Sequence, residues 1–403
     1  MLFEVQSNLR VYYTRSPLEE RTMIIDSHAY CFEPADSPRG YSSAEEHLRW
    51  TQAAHAGHHQ PAMSIPDGVI GRSDVLDPKG EHNIDDLPDV SFRVNKPRGR
   101  VVWNWEGQEF TKYFYPPNLR DTEFTAFSLD CEMHYAGVDA ALLHTDPMLV
   151  RDATYLRDIV ERFPGRIYSM APVDEWRLLN EMDTVISETV MAIEDYGLHA
   201  IKFIPPLCYR TSDEPWDDGP YRPFWEAVTK LGVPIFFTLG AGPDDLKGTK
   251  RTILEERRGY LDEHRTLLRW MERYPDNVCS LTHGFPWRAF LDPSKEKIEL
   301  PDEIWQPFEG ENCTLEVCFP VRLGDIYDFP YHEVWETLST MVEKIGPNHL
   351  LWGTDMPFQN RFCTYGQSRK WIEAYFAPSV GLSDADLELI LGGTCARILG
   401  IKN

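Results

Sequence analysis

The sequence predicts an α/β fold, a (β/α)8 TIM barrel with a long insertion after its first strand. Three observations carry this prediction. From about residue 121 onward, apolar strand-like runs alternate with helical patterns, and such alternation implies a parallel sheet. Counting from Met23 gives eight such strands, the number that closes a barrel. Several of these strands end in His, Asp, Glu or Lys, and barrel enzymes keep their chemistry at the C-terminal mouth.

The first strand is Met23-Ile24-Ile25-Asp26-Ser27-His28-Ala29-Tyr30. Its apolar start lacks alternation, as in a strand covered on both faces. Asp26, His28 and Tyr30 are spaced two apart, so they are expected on one face. Further strands are read at Ala140 to His144, Ile167 to Val173, His199 to Ile204 and Val233 to Leu239. The last three are Val278 to Gly284, Thr314 to Phe319 and Leu350 to Asp355. Helical patterns fall between them, at Phe124 to Tyr135, Tyr155 to Phe163, Leu178 to Tyr196, Tyr221 to Leu231, Thr252 to Tyr274 and His332 to Ile345. Two more close the chain, at Ser368 to Phe376 and Ser383 to Leu399. Gly after helices and Pro after strands supply the stops.

Three segments follow from this reading. Residues 1–22 are an N-terminal extension, with a hairpin expected at Leu2 to Tyr13. Residues 23–403 are the barrel, and 31–120 within it are an inserted lid or interface segment. That insertion lacks strong periodicity and carries aromatic clusters around Trp103 and Tyr113 to Tyr115. Its Trp and Tyr content suggests packing against a second barrel.

Composition excludes several functions. The 403 residues carry a net charge of -24, which argues against a nucleic-acid partner. No run approaches the ~18 apolar residues of a membrane span, and the N-terminus lacks an apolar signal core. The eight cysteines show no CxxC pair. Reduced thiols and a cytoplasmic location are therefore expected.

The strand ends offer His28 and Tyr30, His144 and Asp146, Lys202, Thr238, His283, Glu316 and Asp355 in turn. His and carboxylates converging at one mouth are ligands for a divalent ion. Metal ligation is expected from His28 and Asp355, with His283 and Glu316 as further candidates. His283, Asp355 and Lys202 are the candidate acid–base residues.

The run of DSHAY, GLHAIKFIPP, GVPIFFTLGAG, SLTHGFPW and LLWGTDMP resembles the amidohydrolase superfamily. It is most similar to the amidohydrolase-2 branch that holds aminocarboxymuconate-semialdehyde decarboxylase and the resorcylate decarboxylases. The closing LELILGGTCARILGI also resembles that branch. The resemblance covers residues 23–30 and 121–403 and leaves the insertion outside it. It implies a metal-dependent enzyme acting on a small carboxylate or amino acid. It also implies a mononuclear divalent ion, zinc first, with iron or manganese as alternatives.

The branch ends its first strand in HxH and its fifth in a metal-binding His. Here those positions hold Tyr30 and Thr238, both weak ligands when neutral. The usual site is therefore damaged or rebuilt, with His55, His58 and His59 of the insertion as one source of new ligands. The departures also resemble an auxiliary subunit of the two-subunit, metal-dependent α-aminoisobutyrate hydroxylase. On that resemblance the partner is a homologous barrel in a hetero-oligomeric oxygenase. The alternatives are a self-sufficient hydrolase or non-oxidative decarboxylase, and a non-catalytic partner of an active barrel. Lys202 is expected to remain unmodified, attracting a substrate carboxylate or pairing with Asp146.

Overall fold

The computed structural model describes residues 23–401, except 66, 118 and 244–250. The hairpin expected at Leu2 to Tyr13 lies outside the described residues. Eight parallel strands form one sheet in simple chain order. They are β1 (Ile25–Ala29), β2 (Ala140–Leu143), β3 (Ile167–Ala171), β4 (Ala200–Phe203), β5 (Ile235–Phe237), β6 (Cys279–Leu281), β7 (Cys313–Val317) and β8 (Leu350–Trp352). Closure comes just past β8, where Met356 bridges Ala29 in parallel. Tyr30 N–H donates to Met356 O at 2.8 Å, and Asp355 N–H donates to His28 O at 2.7 Å. Barrel closure thus brings the ends of β1 and β8 together, where two of the candidate ligands stand.

Helices occupy the connections, and their ends follow local chemistry. Thr252 caps helix Ile253–Arg273 in a reciprocal capping box with Glu255. Helix Ala126–Ala136 ends at Gly137, whose φ of 68° an L side chain would resist. Between helices and barrel, Trp270 packs edge-on against Phe237 at 5.0 Å and Trp225 at 5.5 Å. No helix among the described residues is long and apolar enough to cross a membrane. All eight cysteines are free, as read from their spacing.

The insertion has regular structure that its sequence concealed. Helix Ala44–Gly57 is followed by an antiparallel sheet ordered Ile70–Gly71, Ala62–Ile65, Gln108–Lys112, Arg100–Trp105, Arg93–Asn95. Its strands run only 2 to 6 residues, too short for alternation to stand out. The insertion rests on loops at the C-terminal end of the barrel. Trp50 packs on Trp176 at 4.5 Å, and Tyr115 on Phe32 at 6.0 Å and Phe358 at 6.2 Å. Trp50, Trp103 and Tyr115 are thereby buried by their own chain, while Trp105 and Tyr113 remain 37% and 39% exposed. Most of the aromatic content that suggested a second barrel is consumed internally.

Candidate metal centre

The polar strand ends converge in a buried stack of three imidazoles. The His28 ring stacks on His144 at 3.6 Å with 13° between planes, and on His283 at 4.3 Å with 27°. Two groups of three potential ligands result: His28, His144 and Glu316, and His28, His283 and Asp355. In each, the donor atoms lie within 4.8 Å of one another.

Hydrogen bonding separates the two groups. His144 Nε2 donates to Ser27 O at 2.9 Å, which leaves its Nδ1 to accept from Lys202 Nζ at 3.1 Å. Both ring nitrogens are therefore engaged. His28 Nδ1 donates to Glu316 Oε2 at 2.7 Å, which also accepts the His283 backbone N–H at 2.7 Å. That tautomer leaves the lone pair of His28 on Nε2. The nitrogen faces the Tyr30 hydroxyl at 3.2 Å and Asp355 Oδ1 at 3.5 Å. His283 Nε2 is buried without a hydrogen-bond partner and lies 3.6 Å from Asp355 Oδ2.

Those 3.5 and 3.6 Å separations are long for hydrogen bonds. They match donors sharing one ion: ligands about 2.1 Å from a metal stand about 3.0–3.5 Å apart at octahedral to tetrahedral angles. The orphaned Nε2 of His283 and the neutral-imidazole and carboxylate donors fit a divalent cation. Burial, then the neighbouring His283, holds His28 well below its ordinary pKa, so its imidazole is neutral. Asp355 is pushed up by burial but more strongly down by His283 and Arg361, so its carboxylate is ionised. Backbone shape points the same way. His283 and Asp355 adopt left-handed φ values of 62° and 63°, a conformation non-glycine residues rarely take and that clusters at functional sites.

Tyr30 stays a phenol, because burial and then Asp355 raise its pKa far above normal. Thr238 Oγ1 is buried with no hydrogen-bond partner. Lys202 Nζ donates to Thr282 Oγ1 at 2.9 Å and to His144, and forms no ion pair with Asp146 among the described residues. Burial lowers Lys202 to about 8. His55, His58 and His59 stand outside both clusters; His55 donates to Thr51 O at 2.7 Å, and His58 lies 3.4 Å from Arg361.

Asp26 departs from the expected shared face with His28 and Tyr30. Register shifts between Asp26 and Ala29, and this irregularity breaks the two-residue alternation. Asp26 instead braces the loop after β8. It accepts from Thr354 Oγ1 and Tyr365 OH, both at 2.6 Å, and from the Thr354 and His28 backbone N–H groups, both at 3.0 Å.

Residues that the strand pattern did not flag also surround the centre. Arg322 follows β7, and among the described residues it makes no hydrogen bond or ion pair. Burial lowers Arg322 and Arg361, the latter to about 10, while the Asp355 charge opposes the shift in both. These arginines sit in short helical turns, Phe319–Leu323 and Phe358–Arg361, too brief for a periodic signal to mark them.

A family model described as Amidohydrolase matches residues 40–401. The chain belongs to the amidohydrolase family. The match spans the insertion as well as the barrel, and β1 with His28 precedes it. No curated protein matches the sequence. Among solved structures, the chain is similar to 5-carboxyvanillate decarboxylase from Sphingomonas paucimobilis at 15% identity and TM-score 0.51, over 94% of this chain and all of that one. It is also similar to an amidohydrolase from Burkholderia multivorans at 13% identity and TM-score 0.50, over 70% of this chain and 90% of that one. A third, 2,6-dihydroxybenzoate decarboxylase from Rhizobium, has 18% identity and TM-score 0.48 over 68% and 88%. At these identities the first two structures show the shared fold alone.

A carboxylate that orients a ligating His is usually worth about 10–100-fold in metal affinity. Glu316→Gln is therefore expected to weaken metal binding by roughly that factor, read in a chelator-competition titration. Unchanged affinity would show that Glu316 does not position His28.

Proposed function

We propose that this amidohydrolase is a metal-dependent enzyme, or enzyme subunit, acting on a small carboxylate or amino acid. The observation that carries the reading is the convergence of His28, His283 and Asp355, two of them in left-handed backbone conformations. In it, His28 Nε2, His283 Nε2 and Asp355 hold one divalent ion, zinc first, and Glu316 fixes the His28 tautomer. Such an ion, when bound, polarises a carbonyl or carboxylate and lowers the pKa of bound water. Arg322 and Arg361 supply positive charge beside Asp355 for an anionic substrate. Lys202, Tyr30 and Asp355 are placed to hold or move protons at the same mouth, and the insertion excludes water as a lid.

Metal analysis of the purified chain tests this reading, together with turnover of a panel of small carboxylates and amino acids after reconstitution with zinc, iron(II) or manganese(II). About one equivalent of metal and metal-dependent turnover are expected. A chain that takes up none of the three ions overturns it.

A second reading rests on the donor set itself. Two histidines and one carboxylate are the ligands of non-haem iron(II) oxygenases. This favours a subunit of a hetero-oligomeric hydroxylase paired with a homologous barrel. Iron uptake and co-purification with such a barrel support it; a zinc-loaded chain active alone rejects it.

Lys202 carries a prediction under either reading. Its loss as Lys202→Met removes one charge-assisted hydrogen-bond donor, worth ~1.5–3 kcal/mol. The KM for a carboxylate substrate is expected to rise about 10–100-fold, and the wild-type mass to show no added carbon dioxide on Lys202. A carbamate at Lys202 would show it to be a metal bridge instead.

A further inference from the structure

A cavity of about 170 Å³ adjoins the candidate centre, between the inserted helix Ala44–Gly57 and the loops after β2 and β4. Its wall includes Asp146, two residues past His144, and Ile204, two past Lys202. Asp146 and Lys202 also line one small adjoining void, so the cavity borders the Lys202 side of the mouth. The body of the cavity is apolar: Trp50, Ala53 and Ala54 from the inserted helix face Met148 and Leu207 from the barrel loops.

Arg210 stands in this wall with its guanidinium 4.3 Å above the Trp50 ring. Trp50 is fixed from behind by Trp176 at 4.5 Å and Tyr41 at 5.9 Å. Among the described residues Arg210 makes no hydrogen bond and no ion pair. Acid is not scarce here: the chain carries 64 Asp and Glu against 40 Lys and Arg. The Asp85 carboxylate and the Tyr41 hydroxyl act on Arg210 only from beyond ion-pair distance, so the half-buried guanidinium keeps its donors free, in a planar fork that matches a carboxylate. The cavity's volume is that of a small organic body, since an engineered apolar cavity of about 150 Å³ binds benzene.

We propose that this cavity binds small monocarboxylates carried on an apolar body, aromatic or branched aliphatic, with Arg210 holding the carboxylate. Trp50, Met148 and Leu207 enclose the body. Because the inserted helix contributes one whole wall, the insertion determines which acids enter. The site stands independently of the metal-dependent reading: it takes its ligand whether or not an ion is held at His28.

Calorimetric titration of the full chain with benzoate, 3,3-dimethylbutyrate and the neutral analogue benzyl alcohol tests it. Wild type is expected to bind both acids and to bind the alcohol at least ~10-fold more weakly, because the alcohol cannot pair with a guanidinium. Arg210→Gln is expected to lose at least ~10-fold in affinity for the acids and nothing for the alcohol. Arg210→Lys keeps the charge without the fork and should fall between them. Ala54→Phe, which fills the cavity, should abolish binding of all three; Leu207→Trp replaces it if that variant fails to fold. His28→Ala should bind benzoate as wild type does, even where it holds no metal. Absent benzoate binding in wild type overturns the proposal, as does equal affinity in Arg210→Gln. An Arg210→Gln variant that is merely less stable, with benzoate affinity intact, shows that Arg210 only covers Trp50 and overturns it too. Loss of benzoate binding in His28→Ala places the acid at the metal centre and overturns it as well.

Discussion

Purified His28→Ala protein is expected to hold no stoichiometric metal and to show no metal-dependent turnover. His28 is the one histidine shared by both ligand groups, and its Nε2 faces Asp355 at 3.5 Å. Without it only His283 and Asp355 remain of the favoured set, one donor short of the three protein ligands a catalytic site uses. The substitution has a structural cost as well. Glu316 is fully buried and loses the 2.7 Å bond from His28 Nδ1, which leaves a buried carboxylate partly unpaired. Such a loss costs about 1–3 kcal/mol or more. Metal content must therefore be read on folded protein, with circular dichroism alongside. Two companions sharpen the result. Asp355→Asn should lose metal as His28→Ala does. His144→Ala should keep it, because both His144 nitrogens already serve Ser27 and Lys202. Stoichiometric metal in His28→Ala would reject the assignment, and metal lost only in His144→Ala would move the ion to the Glu316 side.

The barrel was legible because its strands are short apolar runs, each stopped by a Gly, a Pro or a polar residue. All eight runs matched a strand, although boundaries moved: β1 spans Ile25–Ala29, inside the expected Met23 to Tyr30. The insertion's sheet was hidden because strands of two to six residues carry too little pattern. Within the site, residue type and strand position were enough to nominate His28, His283, Glu316 and Asp355, which meet in space. Orientation was not readable. The irregularity in β1 turns Asp26 toward Thr354 and Tyr365, and no local pattern announces it. The roles of Glu316 and His144 depend on partners far apart in the chain, from Ser27 to His283, which only closure of the barrel assembles. The left-handed backbone at His283 and Asp355 is equally unannounced: Asp and His tolerate positive φ better than most residues, but no local pattern singles out these two.

Gly392→Ala is expected to be the most destabilising single methyl the chain can receive near the barrel floor. Gly392 lies in the closing segment Leu387 to Ile401 and packs against the entry to β1. A Cβ there would sit 1.9 Å from Met23 O and 2.9 Å from the Ile25 backbone nitrogen. Both obstacles are backbone, so no side-chain rotation relieves them. Relief requires shifting the closing segment away from β1, the strand that carries His28. Overpacking a core costs ~1–3 kcal/mol when side chains can yield, so about 3 kcal/mol or more is expected here. For a chain of this size that is a fall in Tm on the order of 5 °C. The adjacent glycine is the matched control. Gly393 is helical, and its Cβ would meet nothing closer than 3.3 Å, at Glu388 O. Ala is favoured over Gly in a helix by about 1 kcal/mol, so Gly393→Ala should be neutral or stabilising. Thermal melts of the two variants therefore diverge in opposite directions if Gly392 is where the closing segment meets β1. Equal melting temperatures would show that the segment docks less closely than 1.9 Å implies. Metal affinity should follow the same order, because the segment that Gly392 lets approach supports the strand end from which His28 reaches the centre.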